Sequence, residues 1–212
     1  MRAEVMTLGT PNPRQREFLA CEKKYVAFGG ARGGGKSWAV RCKAKLLALR
    51  YAGIRILLVR RSLAELEANH LAFLRQELAD VAEYRAGERQ FRFCNGSVLQ
   101  FGYCGCDRDL DRYQGAEYDV IFLDEATQLK EQWMRQIAAC VRGVNDFPKR
   151  IYYTCNPGGP GHGYIKRLFI DRRFEDGEQP EDYAFIPARV TDNTALLARQ
   201  PDYLKTLEAL PY

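Results

Sequence analysis

Short unbroken apolar runs alternate along the chain with longer stretches of helical period. Tyr25-Val26-Ala27-Phe28 is the first run and ends in glycines, as a buried strand does. From Ser37 to Arg50, Trp38, Val40, Ala44, Leu47 and Ala48 recur at helical spacing, and the pattern stops at Gly53. Ile54 to Val59 is a second strand. Ser62 with Glu65 forms a capping-box signal for a helix that runs to about Glu83. Phe91 to Cys94 and Val98 to Phe101 flank Asn95-Gly96, a strong hairpin signal. Val120 to Leu123 is a third strand, followed by a helix over Lys130 to Arg142. Ile151 to Thr154 is a fourth strand, closed by Asn156-Pro157-Gly158-Gly159. A short helix over Tyr164 to Ile170, a strand over Tyr183 to Pro187 and a terminal helix over Asp202 to Leu210 complete the series. The charged stretch from Asp171 to Glu181 reads as a surface loop. Continuous apolar strands alternating with helices predict an α/β fold: a mostly parallel sheet flanked by helices, with an antiparallel hairpin insertion.

Between the first strand and its helix stands Gly30-Ala31-Arg32-Gly33-Gly34-Gly35-Lys36-Ser37, which fits G-x4-G-K-[ST] in the strand–loop–helix context that this motif requires. The glycines let backbone N–H groups curl around phosphate oxygens, and the helix N-terminus adds partial positive charge. Lys36 is placed to reach the β- and γ-phosphates of ATP, and Ser37 to ligate Mg²⁺. A dinucleotide reading fails, because Trp38 stands where a third glycine belongs.

The third strand runs into Asp124-Glu125, the end of a buried strand at which open α/β sheets bind ligands. Asp124 would hold Mg²⁺ through water, and Glu125 would orient and deprotonate an attacking water. Alternatively, Glu125 and Thr127 merely start the next helix, where acids suit the dipole. The interval between Lys36 and Asp124 leaves room for an additional strand, and Ile54 to Val59 supplies one. Thr154-Cys155-Asn156 ends the fourth strand; its hydroxyl and amide either sense hydrolysis by hydrogen bonding or simply form a strand-terminal turn. Arg32, the pair Arg60-Arg61 and Arg112 are candidates for stabilising transition-state charge, in cis or in trans, against the alternative of solvated surface arginines. Gln15, in Pro13-Arg14-Gln15-Arg16-Glu17-Phe18, is either a reader of the adenine edge or an ordinary first-turn residue.

Composition narrows the field further. The 212 residues, 46% hydrophobic and 28% charged, suit one domain with its own core and exclude wholesale disorder. No run of about 18 apolar residues reads as a membrane span, and no apolar h-region follows Met1, so the chain reads as cytosolic. The net charge of +5 permits nucleic-acid contact without requiring it. The seven cysteines and two histidines lack zinc-knuckle spacing and read as reduced structural thiols.

Taken together, these residues resemble the N-terminal packaging ATPase of the large terminase subunit of tailed bacteriophages. The resemblance rests on Pro13 to Phe18 as the adenine motif, Phe28 to Ser37 with its internal Arg32, Val59-Arg60-Arg61, Tyr113-Gln114-Gly115 leading into Phe122 to Thr127, and Thr154 to Pro157 as the coupling motif. It implies a P-loop NTPase of the additional-strand, catalytic-Glu class. It also implies ATP hydrolysis that drives double-stranded DNA into a procapsid, with a portal protein and a small terminase subunit as partners. The implied assembly is a homo-oligomeric ring of about five subunits, docked on the procapsid in the host bacterial cytoplasm. Residues 1–212 would form the ATPase domain, with 190–212 as the exit towards the family's nuclease domain, so the chain reads as a fragment. Many relatives carry Arg-Gly where this chain has Gln114-Gly115, which leaves Arg112 as the substitute arginine finger. The competing readings are a helicase-like DNA translocase, which needs a second RecA-like domain, and a non-hydrolytic nucleotide-binding assembly module, which has no use for Glu125.

Overall fold

Helix α1 (Pro13–Ala20) is set by its own first residues. Proline sits in the first turn, Asn12 Oδ1 accepts from the Gln15 amide at 2.8 Å, and Gln15 Oε1 accepts in return from the Asn12 amide at 2.8 Å. The apolar runs then become strands β1 (Tyr25–Gly30), β2 (Arg55–Arg60), β3 (Ala82–Arg85), β4 (Gln90–Phe93), β5 (Val98–Tyr103), β6 (Val120–Leu123), β7 (Arg150–Cys155) and β8 (Tyr183–Ala188). Between them lie α2 (Lys36–Arg50), α3 (Leu63–Leu66), a π-helical turn over Glu67–Leu71, α4 (Ala72–Glu77), a 3₁₀ turn over Asp107–Tyr113, α5 (Glu131–Ala138) and α6 (His162–Phe169). Helices α7 (Thr194–Arg199) and α8 (Tyr203–Glu208) follow β8. The computed structural model describes residues 9–208, so the predicted end of the last helix at Leu210 lies outside the described residues.

The strands form one sheet in the order β3-β4-β5-β2-β6-β7-β1-β8. From β5 to β8 neighbours are parallel, whereas β3, β4 and β5 pair antiparallel, as the Asn95-Gly96 turn requires. Alternation along each strand feeds two apolar layers. Val120 and Phe122 of β6 join Phe18, Val40, Leu47, Leu58, Leu74 and Tyr152 under α1, α2 and α4. Ile121 and Leu123 face the opposite layer with Leu57, Val59, Trp133, Met134, Ile165 and Leu168 under α5 and α6. A sheet covered on both faces explains why these strands read as unbroken apolar runs. No helix among the described residues is long and apolar enough to cross a membrane.

Three elements differ from the sequence expectation. The strand between β1 and β6 is β7, whereas Ile54–Val59 (within β2) lies on the far side of β6. The helix begun at Ser62 ends at Glu77, because Ala82 to Arg85 pairs with the edge of β4. The helix from Lys130 ends at Ala138: the Tyr118 amide binds the Cys140 carbonyl at 2.9 Å, drawing the chain into a bridge beside the entry to β6.

The sheet is tightest where β1 meets β7. Gly29 stands opposite Cys155, and a Cβ there would collide with the Cys155 sulfur and carbonyl. Gly29→Ala is therefore expected to destabilise the fold by at least about 1–3 kcal/mol, the range for overpacking a filled core. Thermal melting of the variant beside the parent chain measures this.

Candidate nucleotide site

The strand order sets the site. β6, β7 and β1 are adjacent and parallel, with Leu123 opposite Tyr153 and Cys155 opposite Gly29, so their C-terminal tips align. Asp124-Glu125, Asn156 and the loop from Gly30 to Gly35 consequently meet at one edge of the sheet, where open parallel sheets bind ligands. A cleft of about 640 Å³ opens there, lined by Arg32, Gly33, Gly34, Gly35, Lys36, Ser37, Arg60, Glu125, Asn156 and Asn193 among others.

The loop holds its shape through backbone that glycine alone adopts cheaply. Gly30, Gly33 and Gly35 have φ of +131°, +77° and +74°, and Gly35 caps α2. The Ala31 amide donates to the Ala188 carbonyl at 3.1 Å, and Asn193 Nδ2 donates to the Gly33 carbonyl at 2.7 Å. Gln15 Nε2 donates to the Gly35 carbonyl at 3.1 Å while its Oε1 caps α1, so both ends of this amide are engaged in holding structure.

Lys36 is 6% exposed, and its ammonium donates to the Ala31 carbonyl at 2.5 Å and to Asn156 Oδ1 at 2.7 Å. Burial lowers its pKa, against the raising effect of the Glu125 carboxylate. Asn156 Nδ2 in turn donates to both Glu125 oxygens, at 2.9 and 2.8 Å. Glu125 stands in left-handed backbone at φ +53°, the kind of strain that clusters at functional sites. Its amide donates to Thr154 Oγ1 at 2.9 Å, and the same hydroxyl donates to Asp124 Oδ1 at 2.6 Å. One threonine thus sets the backbone of one acid and the side chain of the other.

Asp124 is buried, and its Oδ2 lies 2.7 Å from His70 Nε2 and 3.3 Å from Arg60 Nε. Burial acts to raise its pKa, but His70, Arg60 and Thr154 together hold it well below the usual carboxylate range. Cys155 is a buried thiol that burial pushes up to about 11, so it contributes packing against Gly29 rather than a charge.

The sequence-predicted residues therefore divide. Gly30 to Ser37, Asp124, Glu125, Thr154 and Asn156 come together, and Arg32 lines the cleft with its side chain exposed. Gln15 reaches the loop only through Gly35 and does not line the cleft. Arg112 lies outside the cleft, paired with Asp109 at 3.3 Å and stacked over the Tyr103 ring at 4.1 Å. His70 was not legible as a site residue: it lies in a helix distant in sequence from every motif.

The oxygen donors present, Ser37 hydroxyl and Asp124 carboxylate, suit a hard cation such as Mg²⁺. The buried ammonium of Lys36, matched only by neutral acceptors and one carboxylate, suits phosphate oxygens.

The family model for "Terminase large subunit, T4likevirus-type, N-terminal" matches residues 27–211. The chain belongs to the large terminase family. Solved large terminases share its fold at low identity. The enzyme of a thermophilic bacteriophage, in complex with ADP, superposes with a TM-score of 0.74 at 16% identity, over 92% of this chain and 49% of that one. The ATPase domain of the Thermus phage P74-26 large terminase gives 0.68 at 15% identity, over 95% and 89%. The N-terminal domain of the bacteriophage phi29 DNA packaging ATPase gives 0.56 at 19% identity, over 84% and 96%. The chain thus spans about half the length of the first of these large terminases and most of the isolated ATPase domain. No curated protein matches the chain. A P-loop NTPase fold of the additional-strand class agrees with the topology, with β7 as the additional strand of this terminase domain.

Proposed function

We propose that this terminase domain hydrolyses ATP to drive double-stranded viral DNA into a procapsid. The observation that carries the reading is the hydrogen-bonded chain Lys36–Asn156–Glu125, which links the phosphate loop, the coupling strand and the acidic strand in one line. A scaffold that only bound nucleotide would have no use for a carboxylate held in strained backbone and presented to the phosphate side of Lys36.

The groups act as follows. The loop amides and Lys36 bind the β- and γ-phosphates. Ser37 and Asp124 would hold Mg²⁺, which supplies neutralisation of the phosphate charge. Glu125 accepts a proton from the attacking water, which general-base catalysis rewards with about 10²–10⁴-fold in rate. A γ-phosphate oxygen competes with Asn156 Oδ1 for the Lys36 ammonium, so binding frees Asn156, and with it the Glu125 side chain. Loss of the γ-phosphate restores the Lys36–Asn156 bond. That exchange moves the tip of β7 and the Asn156–Pro157 turn, which is how hydrolysis would be transmitted to DNA. Arg32 is the cis candidate for transition-state charge, and Arg112, exposed beside Tyr103, is a candidate to act on a ring neighbour. Gln15 supports nucleotide binding through the Gly35 carbonyl. Residues 1–212 act as the motor domain, with 190–212 leading out of it. The portal, a small terminase subunit and further copies of the chain complete the machine, docked on the procapsid in the bacterial cytoplasm.

The test is ATP turnover by the purified chain, alone and with double-stranded DNA, portal-bearing procapsids and small subunit. Turnover that rises with DNA and accompanies nuclease protection of packaged DNA is the expected result. Tight Mg-ATP binding with no turnover under all these conditions would favour the non-hydrolytic assembly module.

A further inference from the structure

His70 occupies the π-helical turn between α3 and α4 and is fully buried. Its Nε2 contacts Asp124 Oδ2, whereas its Nδ1 has no hydrogen-bond partner. A ring kept only for packing would do better as an apolar side chain, because an unpaired buried polar atom costs about 1–3 kcal/mol. The contact to Asp124 is the one polar interaction that this cost accompanies.

The backbone is shaped to deliver that contact. A π turn inserts one residue into the helix, and since each residue advances an α-helix by about 100°, it re-aims the side chains beyond it. The bulge is held from a second element: Arg41 of α2 donates from Nη1 to the Asn69 carbonyl at 2.8 Å, while Asn69 Nδ2 ties back to the Glu65 carbonyl at 2.8 Å. Arg41 also lies 3.5 Å from Glu77 on α4. The helix that begins at Lys36-Ser37 therefore braces the turn that carries His70, and His70 braces the acid on β6.

We propose that His70 is a positioning residue that fixes the Asp124 carboxylate for a divalent cation, with Arg41 holding the π turn that presents it. The proposal rests on the reading of Asp124 as a cation-holding residue. Outer-shell partners of this kind typically change metal affinity by 10–100-fold when removed. Glutamine at position 70 keeps an N–H donor on a side chain of similar reach, whereas phenylalanine keeps the ring volume and removes the donor.

The experiment compares the intact chain with His70→Phe and His70→Gln. Mn²⁺ binding in the presence of ATP is followed by electron paramagnetic resonance, together with kcat and KM for ATP and with Tm. The expected result is that His70→Phe raises the Mn²⁺ concentration for half-saturation at least about tenfold. Its kcat falls with KM little changed, and His70→Gln recovers most of both losses. Wild-type Mn²⁺ affinity in a folded His70→Phe overturns the proposal. So does a His70→Gln variant as defective as His70→Phe at equal Tm. Should His70→Phe not fold, His70→Leu takes its place in the same comparison. A parent chain that binds Mn-ATP without turning it over would sink the hydrolytic reading and still let the metal titration decide the role of His70.

Discussion

Glu125→Gln is expected to lower kcat for ATP hydrolysis by about 10²–10⁴-fold while leaving ATP affinity within a few-fold of the parent chain. The carboxylate is the proposed acceptor of the water proton, and an amide of the same shape cannot take that role. Binding survives because the phosphate contacts come from the loop and from Lys36, neither of which the substitution touches. Glu125 accepts two hydrogen bonds from Asn156 Nδ2, and glutamine keeps one acceptor oxygen. The loss of one such bond is worth about 0.5–1.5 kcal/mol, so only a small fall in Tm should accompany the kinetic defect. Single-turnover hydrolysis alongside equilibrium binding of a fluorescent ATP analogue separates the two effects. Unchanged turnover would remove Glu125 from the chemistry and leave it as a strained helix-start residue.

Lys36→Met should do the opposite to binding and something distinctive to stability. Charge-assisted hydrogen bonds are worth about 1.5–3 kcal/mol each, so deleting the ammonium should weaken Mg-ATP binding by at least about 10-fold and abolish hydrolysis. Yet burial lowers the pKa of this lysine, which means that the folded protein holds the charged form at a cost. Methionine fills a similar volume without that cost. The expected outcome is a Tm equal to or above that of the parent, with binding lost, as stability–function trade-offs predict. Calorimetric titration with Mg-ATP and a thermal melt check both halves. A large drop in Tm would mean that the bonds to Ala31 and Asn156 matter more to the fold than to the ligand.

Much of this was legible in one dimension. The phosphate loop needs particular residue types at fixed spacing, because glycines must open the backbone and a lysine must follow, so Gly30 to Ser37 declares itself locally. The acids after an apolar strand are legible for the same reason: strand burial and a ligand-facing tip leave a sharp change from apolar to acidic. The Asn95-Gly96 hairpin is another short-range signal. Boundaries fared worse wherever a distant partner decided them. The helix from Ser62 has enough helical period to continue, but the edge of β4 captures Ala82 to Arg85. Gln15 carries the composition of a base-reading motif, yet its amide closes a capping box and supports Gly35.

The sequence by itself determined the α/β class, the mostly parallel sheet, the phosphate loop and the two acids, because each rests on periodicity or on chemistry within about ten neighbouring residues. Only the tertiary structure decided which strand lies between β1 and β6, since strand order depends on crossovers that carry no local signature. Tertiary structure alone also joined Lys36 to Glu125 through Asn156, set Arg112 apart from the cleft, and brought His70 onto Asp124 across 54 positions of chain. These contacts depend on packing between elements far apart in sequence, where hydrophobic period fixes which face is buried but not which polar group it delivers to a neighbour.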